Sequence, residues 1–118
     1  NRIKFFHSDI DNFFSNKYDL IISNPPYIKQ HEINGLDKDI KNYEPRVALN
    51  GGIDGYSKIR LTIKKSSALI KKNGKLFLEI GSNQVMETLK ILKINGFFVN
   101  KLVKDLANKN RCVVSTKI

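Results

Sequence analysis

Hydrophobic positions fall into two periods along the chain. Residues 18–23 read Tyr-Asp-Leu-Ile-Ile-Ser, a short apolar run stopped by Asn24-Pro25-Pro26. A run of apolar and β-branched residues without polar alternation predicts a strand buried on both faces of a parallel sheet. Residues 2–6 (Arg-Ile-Lys-Phe-Phe) form an earlier candidate strand, followed by a polar turn at His7, Ser8 and Asp9. Residues 28–55 are polar, glycine-dotted and aperiodic, which predicts mainly a long loop of the kind that carries function. From Tyr56 the period changes. Tyr56, Ile59, Ile63 and Ile70 share one helical face, with Asn73-Gly74 as the predicted C-terminal stop. Lys75–Ile80 reads as the next strand, ending at Gly81. Ser82 is then the predicted cap of a second helix, whose apolar face carries Val85, Met86, Leu89 and Leu92 and which closes at Gly96. Residues 97–103 and 111–118 read as two strands around a polar turn at 105–110. Strands alternating with helices predict an α/β layered domain with a mainly parallel sheet and an antiparallel hairpin at its end.

Composition narrows this picture. The 118 residues are 41% hydrophobic and 27% charged, which argues against a disordered chain. No internal repeat or long linker divides them, so residues 1–118 are expected to be one structural unit. No apolar run approaches the roughly 18 to 20 residues of a membrane span, and no signal peptide pattern opens the chain. One cysteine, Cys112, excludes an intrachain disulfide, and two separated histidines offer no structural zinc site. A reducing, cytoplasmic setting and no metal are expected. The net charge of +10 is built from 17 lysines spread along the chain and only four arginines. Compositional drift toward Lys, Ile and Asn explains it more readily than an anionic partner does, and the charge alone decides nothing.

One segment carries candidate chemistry: Asn24-Pro25-Pro26-Tyr27, directly after the apolar run. Ligands of open α/β sheets bind at the carboxyl ends of strands. The asparagine carbonyl is an acceptor on a short side chain, and two prolines fix φ and present nearby carbonyls rigidly. Together, a side-chain oxygen and a backbone carbonyl accept both hydrogens of a planar –NH₂ group, while the Tyr27 ring stacks on its flat face. An ordinary Asn-Pro turn after a strand is the competing reading. The doubled proline, the tyrosine and the preceding strand favour the functional one.

Residues 19–28, Asp-Leu-Ile-Ile-Ser-Asn-Pro-Pro-Tyr-Ile, resemble the signature of S-adenosylmethionine-dependent methyltransferases acting on planar amino groups. The fuller likeness is to the release factor glutamine methyltransferase family. Its pattern continues in order through Tyr43-Glu44-Pro45, Ala48-Leu49, Gly51-Gly52-Ile53-Asp54-Gly55, Leu78-Glu79-Ile80-Gly81 with Gln84, then Asp105 and Arg111 before Val113-Val114. The resemblance implies a Rossmann-like class I methyltransferase fold. This chain would supply its C-terminal portion, about strands three to seven with the last two as an antiparallel hairpin and the first two strands missing. The family's glycine-rich cofactor loop and the acidic residue after its second strand have no counterpart here. The Gly51–Gly55 turn is not that loop, since it follows a polar stretch rather than a strand. Residues 18–23 would then form an unpaired sheet edge, and the chain alone would be inactive and bind cofactor weakly.

Roles follow from the resemblance residue by residue. Asp9 and Ile10 match the segment beside the cofactor's adenine, the family often having an aromatic residue where Ile10 stands. Asn24 would touch both the cofactor's methionyl end and the substrate amide, acting as the catalytic residue. Pro25, Pro26 and Tyr27 would complete the substrate clamp. Glu44 and Arg46 would order the long loop over the substrate, while Glu79 and Gln84 are read as structural and His7 and His31 as turn and loop residues. The implied reaction is methyl transfer from S-adenosyl-L-methionine to the glutamine amide nitrogen of a Gly-Gly-Gln loop in a peptide chain release factor, by a monomeric enzyme. Two other readings stay open. One is an adenine or guanine amino-group methyltransferase with nucleic acid as partner, less favoured because a base-flipping enzyme usually needs an added recognition region. The other is a non-catalytic fragment.

Overall fold

In a computed structural model the described residues are 2–36 and 38–118. The strands are β1 (Tyr18–Ser23), β2 (Ile70–Glu79), β3 (Phe97–Lys104) and β4 (Asn110–Lys117). Two short helices, α1 (Lys38–Tyr43) and α2 (Arg46–Leu49), precede the longer α3 (Ser57–Leu69) and α4 (Val85–Ile94). Short 3-10 turns occupy Ile10–Asn12 and Gln30–Gly35. The sheet order is β1-β2-β4-β3, with β1 parallel to β2 and β4 antiparallel to both its neighbours. The expected α/β class and terminal hairpin are present, and β4 lies between β2 and β3.

The core follows from strand alternation. Leu76, Leu78 and Ile80 point to one face of β2, where Ile59 and Ile63 of α3 and Leu92 of α4 join them, all fully buried. Val113 of β4 pairs with Leu78 and extends that layer. Removing a side chain such as Leu78 from so closed a layer costs about 2–5 kcal/mol.

Several local expectations are corrected. Residues 2–6 form no strand: no strand lies along the outer edge of β1 among the described residues, and Phe5 and Phe6 are left exposed. β1 is covered on one face only. Ile21 packs on the core, whereas Leu20 and Ile22, on the face shared with Phe77, are exposed. The predicted loop at 28–55 contains a 3-10 turn and two helices, too short to show a helical period in sequence. α3 ends at Leu69 rather than at Asn73-Gly74. Ile70 already adopts extended backbone and opens β2, so Asn73, with φ of 64°, makes an irregularity inside the strand instead of a helix stop. Gln84, not Ser82, occupies the N-cap of α4. Met86 faces solvent, because the start of α4 at Val85 turns Thr88, Ile91 and Leu92 inward. Gly96, with φ of 76°, does close that helix.

Candidate functional site

The tetrapeptide leaves the carboxyl end of β1 with Pro25 buried, Pro26 and Tyr27 half-buried and Asn24 exposed. Its path is fixed from one side by backbone pairing. The Ile28 amide donates to the Leu49 carbonyl at 3.3 Å, and the Gly51 amide donates to the Ile28 carbonyl at 2.8 Å. Two residues on, the Gln30 amide donates to the Gly52 carbonyl at 2.9 Å. The Gly-Gly-x-Asp-Gly turn is therefore the partner of the tetrapeptide's exit. Its glycines allow the approach: a Cβ on Gly51 would lie 2.7 Å from the Tyr27 Cα. Gly55, at φ of 79°, would place one 2.7 Å from the Tyr27 carbonyl oxygen. Asp54 shapes the same turn. Its carboxylate accepts from the Tyr56 amide at 2.9 Å and from Arg60 at 2.6 Å, and that guanidinium, with the amide's help, holds the Asp54 pKa below its usual value.

Gln84 joins these segments. Its side chain is 5% exposed, its Oε1 accepts from the Gly81 amide at 3.0 Å, and its Nε2 donates to the carbonyls of Tyr27 and Gly55, each at 3.2 Å. One amide group thus spans the end of β2, the tetrapeptide and the glycine turn. Residue spacing carries no sign of this role. The available signal was a polar side chain at a helix N-cap, three residues after a glycine that ends a strand.

Three concavities surround the tetrapeptide. The smallest, about 300 Å³, is lined by Asn24, Pro25, Pro26 and Tyr27 together with Glu44 and Glu79. All four expected clamp residues meet there, among acceptors. A second, about 490 Å³, holds Asp9 and Ile10 beside Ser23 and Thr62, and shares Pro25 and Pro26 with the first. Asn24 borders the clamp cavity and is not among the residues lining the one that holds Asp9 and Ile10. The third, about 450 Å³, lies across Tyr27 and Ile28 and is lined by Lys29, Glu32, Tyr56 and Arg111. Arg46 turns away from the clamp and donates to the Asn34 side chain at 2.8 Å. His7 is exposed, and His31 lies exposed in a 3-10 turn, 3.9 Å from Glu32.

The donor set tests the expected cofactor. An exposed carboxylate and a half-buried isoleucine in a cavity beside Pro25 suit the amino edge and flat face of an adenine. Among the described residues no glycine-rich turn follows a strand. The residues present fit the nucleoside end and offer no cradle for the remainder. Among the described residues no helix is long and apolar enough to cross a membrane.

The release factor glutamine methyltransferase of Thermodesulfovibrio yellowstonii is 40% identical over 114 residues, covering 96% of this chain and 41% of the relative. The protein of the same name from Clostridium acetobutylicum is 40% identical over 101 residues, covering 86% of this chain and 35% of its own length. The chain therefore spans about two fifths or less of these relatives. Among solved structures, the protein-(glutamine-N5) methyltransferase (release factor-specific) of Alicyclobacillus acidocaldarius superposes with a TM-score of 0.50 at 25% identity, over 86% of this chain and 49% of that one. The described residues have part of the class I methyltransferase fold. The family model described as Eco57I restriction-modification methylase matches residues 1–111. The chain belongs to this methylase family, and its resemblance to the release factor glutamine methyltransferases holds over most of its length.

Proposed function

We propose that residues 1–118 are the C-terminal part of the catalytic domain of an S-adenosylmethionine-dependent N-methyltransferase. Its substrate is the side-chain amide of the glutamine in the Gly-Gly-Gln loop of a peptide chain release factor. The observation that carries this reading is the clamp cavity, where Asn24 and Tyr27 stand among acceptors, Glu44 and Glu79 included. An amide nitrogen is a poor nucleophile because its lone pair is delocalised into the carbonyl. The Asn24 side-chain oxygen and a carbonyl of the proline pair each accept one N–H, which fixes the nitrogen's remaining lone-pair direction. Positioning of this kind supplies up to roughly 7–11 kcal/mol of a barrier. The same acceptors favour positive charge growing on the nitrogen. Tyr27 supplies the flat surface on which the amide lies. Glu44, the exposed carboxylate of the pair, is the group placed to take the proton that the nitrogen gives up. Asp9 and Ile10 would hold the adenine of the cofactor, which when bound would supply an electrophilic methyl group.

The printed names of the relatives and of the Alicyclobacillus structure support the glutamine substrate. The family model's description and the net charge of +10 favour a second reading, methylation of an adenine or guanine amino group, whose –NH₂ would present the same two hydrogens. Incubating the full-length protein with methyl-labelled cofactor and release factor, DNA or RNA separates them. Label is expected on release factor alone, and lost when its loop glutamine is replaced. Label entering only nucleic acid would overturn the proposal.

A further inference from the structure

The cavity on the far side of Tyr27 has the opposite chemistry from the clamp. Asn24, Glu44 and Glu79 offer acceptors on one side, whereas Arg111, Lys29 and the Tyr56 hydroxyl offer donors on the other. Tyr27 and Ile28 line both cavities and form the wall between them. Arg111 is held for use. Its Nε donates to Asp105 Oδ2 at 2.9 Å, and Asp105 is fixed in turn by the Lys109 amide at 3.0 Å. That carboxylate holds the Arg111 pKa above its ordinary value. Among the described residues the Arg111 side chain donates only through Nε, so neither Nη has a protein acceptor, and Tyr56 donates only through its backbone amide. The Tyr56 ring is itself fixed by packing on the core and by Arg60, whose guanidinium lies 5.8 Å from the ring centroid.

We infer that this cavity binds the substrate polypeptide's backbone beside the target glutamine, with Arg111 and Tyr56 donating to its carbonyl oxygens. The inference rests on the glutamine substrate proposed above and deepens it. Donors without partners call for an acceptor, and charge balance selects a neutral one. Lys29 and Arg111 are offset by Glu32 in the cavity and by Asp105 against the guanidinium, so the site carries little net charge. A phosphodiester would meet the Glu32 carboxylate and gain little attraction, whereas a peptide carbonyl needs directed donors and no net charge. Glycines flanking the glutamine leave such carbonyls uncovered, so the backbone can lie against the tyrosine wall.

The test is steady-state methylation of release factor by the full-length protein, comparing wild type with Arg111→Lys and Tyr56→Phe. Lysine keeps the charge and loses the guanidinium fork, and phenylalanine removes one hydroxyl without changing ring packing. KM for release factor is expected to rise about tenfold for Arg111→Lys, as for loss of a charge-assisted bond. For Tyr56→Phe a rise of about threefold is expected. Turnover number should stay within threefold and cofactor affinity within twofold for both. A merely structural Arg111 would lower the melting temperature and leave KM unmoved. If Arg111→Lys fails to fold, Tyr56→Phe decides. Unchanged KM in the folded variants overturns the inference while leaving the glutamine reading intact. Wild-type protein that labels no release factor overturns that reading and this one with it. Weaker nucleic-acid binding with a reduced salt dependence in Arg111→Lys would assign the cavity to phosphate and overturn it too.

Discussion

The two flanks of the tetrapeptide are built to different standards. On the side of β2, α3 and α4, its exit is pinned by backbone bonds from Ile28, Gln30 and Gly51 and by the buried Gln84 amide. On the side of Asp9 and Ile10, residues 2–9 form no regular element, and Ile3 and Phe5 face solvent. That flank is held by an edge-on contact between Phe6 and Phe13, with ring centroids 5.3 Å apart, and by Lys65 over the Phe14 ring at 4.6 Å. Under the proposed function the difference separates two jobs. Geometry at the reacting amide must hold to a fraction of an ångström, and the pinned flank provides it. A face that packs on a planar ring tolerates more play.

Substitutions sharpen the contrast. The largest effect is expected at the clamp itself. Asn24→Ala in the full-length protein removes one acceptor and lets the amide rotate, a loss of roughly 10²–10³ in turnover by analogy with an oxyanion-hole donor. Because Asn24 is exposed, the melting temperature should hold. Asn24→Asp, which keeps shape and an acceptor, should retain more activity than alanine. Activity within about threefold of wild type, or loss only by unfolding, would show that Asn24 merely shapes the turn.

Gln84→Leu comes next and should act on both stability and rate. It leaves the Tyr27 and Gly55 carbonyls without their donor, at about 1–3 kcal/mol for a buried unsatisfied group. Thermal unfolding should shift down, and methylation by the fraction still folded should fall as well. A variant that melts earlier yet turns over normally when folded would show that the tetrapeptide holds its shape without Gln84.

On the looser flank, Asp9→Asn is expected to weaken cofactor affinity by only about two- to tenfold, the range of one ordinary hydrogen bond. Calorimetric titration of the full-length protein reads this directly, and the melting temperature should not move, since Asp9 is exposed. A loss as large as that at Asn24 would erase the distinction between the flanks. The smallest effect concerns acid. Asp54 titrates below 3.8 in the folded state because Arg60 and the Tyr56 amide favour its carboxylate. It therefore contributes stability above that value, which is lost as pH falls through its folded pKa. Asp54→Asn should flatten the acid limb of the stability profile below about pH 4 and leave neutral pH little changed, since the pair with Arg60 is half-exposed.

Local chemistry made part of this molecule legible in its sequence. An apolar run ending in Asn-Pro-Pro marked β1 and the turn that follows it, because proline restricts the backbone whatever surrounds it. Gly96 marked the end of α4, and two strand-like runs around a polar turn marked the β3–β4 hairpin. Where only spacing was available, the outcome depended on neighbours. Residues 2–6 have the composition of a strand and no partner beside them, and Ile70 has the helical period yet opens β2. Only the tertiary structure decided that Gln84 would reach the Tyr27 carbonyl, 57 residues away, and that Gly51 and Gly55 would press against the same residue. It alone set acceptors and donors on opposite sides of one tyrosine. Periodicity and turn propensity act over a few residues, whereas the partner of a buried amide is chosen by how distant segments pack, which no local pattern encodes.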